Sequence, residues 1–121
     1  MRGGKQGEHM SAEKRRDARH AMRVRMDYRN RGGGDFLFEY SMNISKGGIF
    51  ILTEDPLPVG TLVEMRFQPP GVEDVLEVVG RVVWVNEFRP ETDDNPNPGM
   101  GIQFEDLDAE DKALIAEVVR A

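Results

Sequence analysis

From Met22 the chain alternates: Met22, Val24, Met26 and Tyr28 are apolar, and Arg23, Arg25 and Asp27 between them are polar. Successive side chains of a strand point to opposite faces, so this period of two marks a half-buried strand over residues 21–29. The turn-forming stretch Asn30-Arg31-Gly32-Gly33-Gly34 follows, and Phe36, Phe38, Tyr40, Met42 and Ile44 then restart the same period. That apolar set is expected on the core side. Gly47-Gly48 interrupts it before the apolar run Ile49-Phe50-Ile51-Leu52. Thr61 to Phe67, residues 73–88 and Met100 to Phe104 read as further strands, punctuated by Pro58, Gly60 and Pro69-Pro70-Gly71 and by the polar loop Pro90 to Pro98. Gly80, inside the longest of them, is expected to mark a bulge or a barrel bend.

Only the end reads as a helix, capped by Asp108 and carrying the apolar stripe Leu114, Ile115, Val118 and Val119. Six or seven short strands with no helical crossover between them point to an antiparallel barrel rather than a parallel α/β sheet. At 121 residues the chain fits one domain. Residues 1–10, ending in His9-Met10, read as a tag or linker remnant, 11–20 as a flexible basic arm, and 21–121 as the folded domain.

Charge is divided along the chain. Residues 1–31 hold 10 Lys+Arg against 4 Asp+Glu, and residues 32–121 hold 6 against 18. A basic arm on an acidic body fits a local anion site better than a general nucleic-acid surface, which is more often basic across a whole face. The plainer alternative is a solvated tail. No apolar run approaches the roughly 18 residues of a spanning helix, and no export signal precedes the arm, so a cytoplasmic protein without membrane contact is expected.

Catalysis finds little support. Cysteine is absent, the histidines are His9 and His20, and the serines are Ser11, Ser41 and Ser45, so neither a metal site nor a nucleophilic triad is expected, and no cofactor. Two polar segments remain. Arg15-Arg16-Asp17-Ala18-Arg19 places guanidinium forks just before the first strand, and such forks match phosphate oxygens or the O6/N7 edge of guanine two bonds at a time. Asn43-Ile44-Ser45-Lys46-Gly47-Gly48 lies at a strand turn, where Asn43 and Ser45 share one side and the glycines admit a close ligand. Each segment alone also reads as an ordinary basic or hairpin turn.

In this order the two segments resemble the signature of the PilZ family of bacterial receptor domains, RxxxR followed by [D/N]xSxxG: Arg15 and Arg19, with Arg16 beside them, then Asn43, Ser45 and Gly48. The likeness continues through Ile49-Phe50-Ile51, Pro56 to Thr61, Gly80 to Val85 and Gly99 to Phe104, roughly residues 14–118, and looks like the single-domain paralogues of myxobacteria. It implies a six-stranded antiparallel barrel with a C-terminal helix and a flexible basic arm, binding cyclic di-GMP on its outer surface. Arg15, Arg16 and Arg19 would hold phosphates and guanine edges, Asn43 would accept from a guanine, and Ser45, Gly47 and Gly48 would line the ligand. Trp84 has two readings, a core residue of a valine-rich strand or a platform for guanine, and its surroundings favour the core. Asn43 stands where many members carry aspartate, and Asp17 can pair with the arginines in the free protein. The implied role is a receptor that passes altered protein contacts to motility or exopolysaccharide control, as a monomer or weak dimer with an unidentified protein partner. The alternatives are an adaptor of the same fold that does not bind the dinucleotide and, more remotely, a basic-arm nucleic-acid binder.

Overall fold

The computed structural model describes residues 18–90 and 97–120. In chain order these form β1 (His20–Ala21), β2 (Arg25–Asn30), β3 (Leu37–Ile44), β4 (Gly48–Leu52), β5 (Leu62–Phe67), β6 (Leu76–Asn86), β7 (Gly99–Glu105) and the helix α1 (Ala109–Arg120). Neighbours run β3-β2-β5-β6-β7-β4, every pair antiparallel, and β4 returns to β3 to close a six-stranded barrel. The expected fold class therefore stands.

The first expected strand is divided in two. β1 and β2 lie along one edge of β3, with Ala21 opposite Asn43 and Arg25 opposite Tyr40, so Met22-Arg23-Val24 must face Ser41-Met42. The buried Ser41 side chain fills this mismatch: its Oγ accepts from the Val24 amide at 3.0 Å and donates to the Met22 carbonyl. A hydroxyl thus replaces ladder bonds that the extra residue displaces.

The other edge of β3 carries a second irregularity. Ser41 pairs with Ile51 and Asn43 with Phe50, leaving Met42 unmatched. An unmatched residue reverses the inward and outward alternation beyond it. Phe38, Tyr40 and Met42 consequently face solvent, whereas Ser41 and Ile44 face inward. The apolar set of β3 was expected on the core side; the bulge places all of it but Ile44 elsewhere, with Phe36 half-buried.

The core is filled by Met26, Ile44, Ile49, Ile51, Met65, Met100 and Ile102, and Ile115 and Val119 of α1 pack on it. α1 begins where expected, with Asp108 Oδ1 accepting from the Asp111 amide at 2.8 Å. Register runs unbroken through Gly80, and the irregularity in β6 lies instead between Val82 and Trp84. Gly80 makes room inside the barrel, because a Cβ there would stand 2.4 Å from Ile102 Cγ2. Tyr28 is buried, and its pKa is raised by desolvation and by the charges of Glu39 and Asp55, with a hydrogen bond to the Thr53 side chain opposing. No described helix is long and apolar enough to cross a membrane.

Candidate ligand-binding site

The two polar segments of the sequence meet at one bond. Arg19 Nη1 donates to Asn43 Oδ1 at 2.9 Å, on the exposed outer surface where β1 is held against the end of β3. His20 already belongs to β1, so the ordered ladder starts one residue after Arg19. The guanidinium keeps further donors for an anion, and the amide oxygen keeps a second lone pair. Arg15, Arg16 and most of the expected arm lie outside the described residues.

The Ser45 hydroxyl serves the β3–β4 turn. Its Oγ accepts from the Gly48 amide at 3.2 Å and the Gly47 amide at 3.3 Å, and the side chain is buried. The expectation that Asn43 and Ser45 share a side fails here, because Asn43 reaches outward to Arg19 while Ser45 turns in on its own loop. Gly48 has a structural reason of its own. A Cβ at that position would stand 2.3 Å from the Ile102 carbonyl oxygen, so only glycine lets β4 run this close to β7. Neither Gly47 nor Gly48 adopts a positive φ. Gly47 is exposed at the rim of a cleft also lined by Lys46, Gln103 and Lys112.

Trp84 is 47% exposed and does not enter the core. The β6 bulge turns it outward, where its ring stacks on Phe50 with centroids 5.2 Å apart and planes 19° from parallel. Glycines in β7 seat both rings: a Cβ on Gly101 would stand 2.2 Å from Trp84 Nε1, and one on Gly99 2.7 Å from Phe50 Cζ. Asn43 pairs with Phe50, Phe50 with Gly101 and Gly101 with Trp84, so these residues form one row across β3, β4, β7 and β6. At about 4.8 Å per strand the row carries Trp84 roughly 14 Å from Asn43 along the sheet. Phe50 was not singled out as a site residue. The legible signal was the pair Gly99 and Gly101, two glycines on one face of a strand, which marks a close approach.

The arrangement is an aromatic platform at one end and an arginine–amide pair at the other, suited to a ligand with both a flat base and negative charge. The family model described as the PilZ domain matches residues 13–121. The chain belongs to the PilZ family. Solved PilZ structures share its fold. The PilZ domain of CeSA from a cellulose-synthesizing bacterium superposes with a TM-score of 0.61 at 15% identity, covering 84% of this chain and 94% of that one. The PilZ domain of YcgR from Escherichia coli, solved with c-di-GMP, gives 0.63 at 15% identity over 87% and 91%. MotI/DgrA of Bacillus subtilis, an inhibitor of motility, gives 0.65 at 20% identity, and this PilZ chain spans 47% of its length. No curated protein sequence matches the chain.

Proposed function

We propose that this PilZ domain is a cytoplasmic receptor for cyclic di-GMP and acts by binding rather than catalysis. The observation that carries the reading is the 2.9 Å bond from Arg19 to Asn43, which joins the last arginine of RxxxR to the first residue of NxSxxG on the outer wall of the barrel. The bond holds a guanidinium fork beside an amide acceptor, a pairing that meets both a phosphate and the N–H edge of a guanine. The YcgR PilZ domain, of the same fold, was solved with this ligand. Arg15 and Arg16 would complete the anion grip, and Trp84 would offer a face to a base. Ser45 and Gly48 act indirectly, by holding the turn that positions Asn43. Ligand capture by the arm alters the protein contacts of this face, which supports a role in controlling motility or surface polysaccharide.

Calorimetric titration with cyclic di-GMP, with GTP and cyclic AMP as controls, tests the reading. Saturable binding of the dinucleotide alone is expected. Absence of binding would overturn it in favour of an adaptor that works through protein contacts only.

A further inference from the structure

The outward-facing apolar set of β3 is covered by arginines in a regular way. Arg23 Cζ lies 5.0 Å from the Tyr40 ring centroid and Arg25 Cζ 4.1 Å from that of Phe38. Arg29 and Arg66 both sit over Phe36, at 4.5 and 3.9 Å. The guanidinium groups of Arg23, just before β2, and of Arg25 in β2 therefore lie over rings carried by β3. Asp27 pairs with Arg25 and Glu64 with Arg29, while Arg23 and Arg66 meet no carboxylate among the described residues. The result is a cationic, aromatic stripe on a body whose sequence is otherwise acidic.

Among the described residues no second strand pairs with the start of β3, where the stripe runs. β4 joins β3 only from Tyr40 onward, so Leu37, Phe38 and Glu39 have β2 as their one ladder partner among the described residues. Leu37 and Phe38 are more than half exposed. An unpaired edge with apolar side chains is a template for another strand. A strand added there would present alternate side chains on the outer face with the same period of two as the arginines behind Phe38 and Tyr40. Acidic residues at those positions would meet guanidinium groups already fixed over rings, and arginine and aromatic residues together are the composition of interface hot spots.

We infer that the β3 edge is a docking site for an extended protein segment carrying acidic residues at alternate positions. The surrounding acidic body opposes a polynucleotide, whose charge is continuous, more than a short segment that places carboxylates only against the stripe. The inference stands apart from the dinucleotide site, since it uses the opposite half of β3.

The test is an amide-resolved NMR titration of the full chain with a short capped peptide alternating glutamate and valine. The same peptide with backbone N-methyl groups along one edge, a lysine–valine peptide and a thymidine oligonucleotide complete the set. Saturable shifts confined to Leu37–Tyr40 and the facing β2 residues are expected with the first peptide. They should weaken by about tenfold or more on N-methylation and in the Arg23→Gln/Arg25→Gln variant. The lysine peptide should not bind. No shift with millimolar glutamate peptide, shifts mapping elsewhere, or undiminished binding after N-methylation overturns strand addition. Stronger binding of the oligonucleotide to the same residues overturns the protein partner.

Discussion

Trp84 rests directly on the backbone of Gly101, so that even a methyl group at position 101 would fall 2.2 Å from the indole nitrogen. Phe50 closes the stack from the neighbouring strand. A surface tryptophan seated this way is held flat without being buried, which suits it to receive a base.

Because Trp84 is the sole tryptophan, its fluorescence reports on this platform alone. Cyclic di-GMP should quench it, and Trp84→Ala should weaken binding by about 1–3 kcal/mol, the scale of base stacking on an aromatic ring. Gly101→Ala should displace the indole and shift its emission even without ligand. Unchanged affinity in Trp84→Ala would leave the ring a purely structural cover for Phe50.

Ser41 offers a stability test independent of any ligand. Its hydroxyl satisfies the Val24 amide and the Met22 carbonyl at the junction of β1 and β2. Ser41→Ala should cost about 1–3 kcal/mol, because buried backbone groups lose their partner and no water is readily substituted. Urea unfolding measures the loss. β1 should fray first, so amide exchange at Met22 and Val24 should accelerate more than at Met65 in β5.

How far the sequence could be read depends on where the period of two survives. Met22, Met26 and Tyr28 face inward as their alternation predicts, and the helix begins at its Asp108 cap. The reading failed for Phe38, Tyr40 and Met42, since one unmatched residue in β3 reverses which face is buried. Nothing local in Tyr40-Ser41-Met42-Asn43 announces that bulge: it is specified by Ser41 meeting the Met22–Val24 link and β4 at once, which is tertiary information. For Trp84 the outward reading was the less favoured of two for the same reason, a bulge at Val83 with no glycine to mark it. The motif residues were legible by type and order. What each does was not, because Ser45 and Gly48 look alike on paper whether they touch a ligand or shape a turn.

Alkaline pH should destabilise the fold through Tyr28. Burial, reinforced by Glu39 and Asp55, raises its pKa, with the Thr53 hydrogen bond opposing. A raised acid pKa favours the protonated phenol in the native state, so its stabilising contribution is intact below the ordinary phenol value of about 10 and is lost as pH rises through the native value. Stability should therefore fall above about pH 10, with a slope of at most about 1.4 kcal/mol per pH unit from this group. Tyr28→Phe should flatten that slope while lowering stability near neutrality by about 1 kcal/mol through the lost bond to Thr53. Urea midpoints measured across this pH range in both proteins give the comparison, and equal slopes would remove Tyr28 as the cause.

Asn43 gives the prediction with the most informative sign. In the free protein its Oδ1 already accepts from Arg19, so a guanine that used the same oxygen would occupy its second lone pair. A carboxylate offers about four such sites, enough to keep Arg19 in place and take the N1–H and N2–H of guanine together. Charge-assisted bonds are roughly twice as strong as neutral ones, while repulsion from the ligand's phosphates and added desolvation oppose the change. With Arg19 adjacent and Arg15 and Arg16 on the same arm, the balance favours the carboxylate. Asn43→Asp should tighten cyclic di-GMP binding by about 0.5–1.5 kcal/mol, and Arg19→Ala should weaken it by about 1.5–3 kcal/mol. Asn43→Ala should also weaken it, and in a double-mutant cycle with Arg19→Ala the losses should fall short of additive, since each removes one end of the same bond. Additive losses would mean that Arg19 and Asn43 meet the ligand separately, and full affinity in Asn43→Ala would reduce the residue to a tether for the root of the arm.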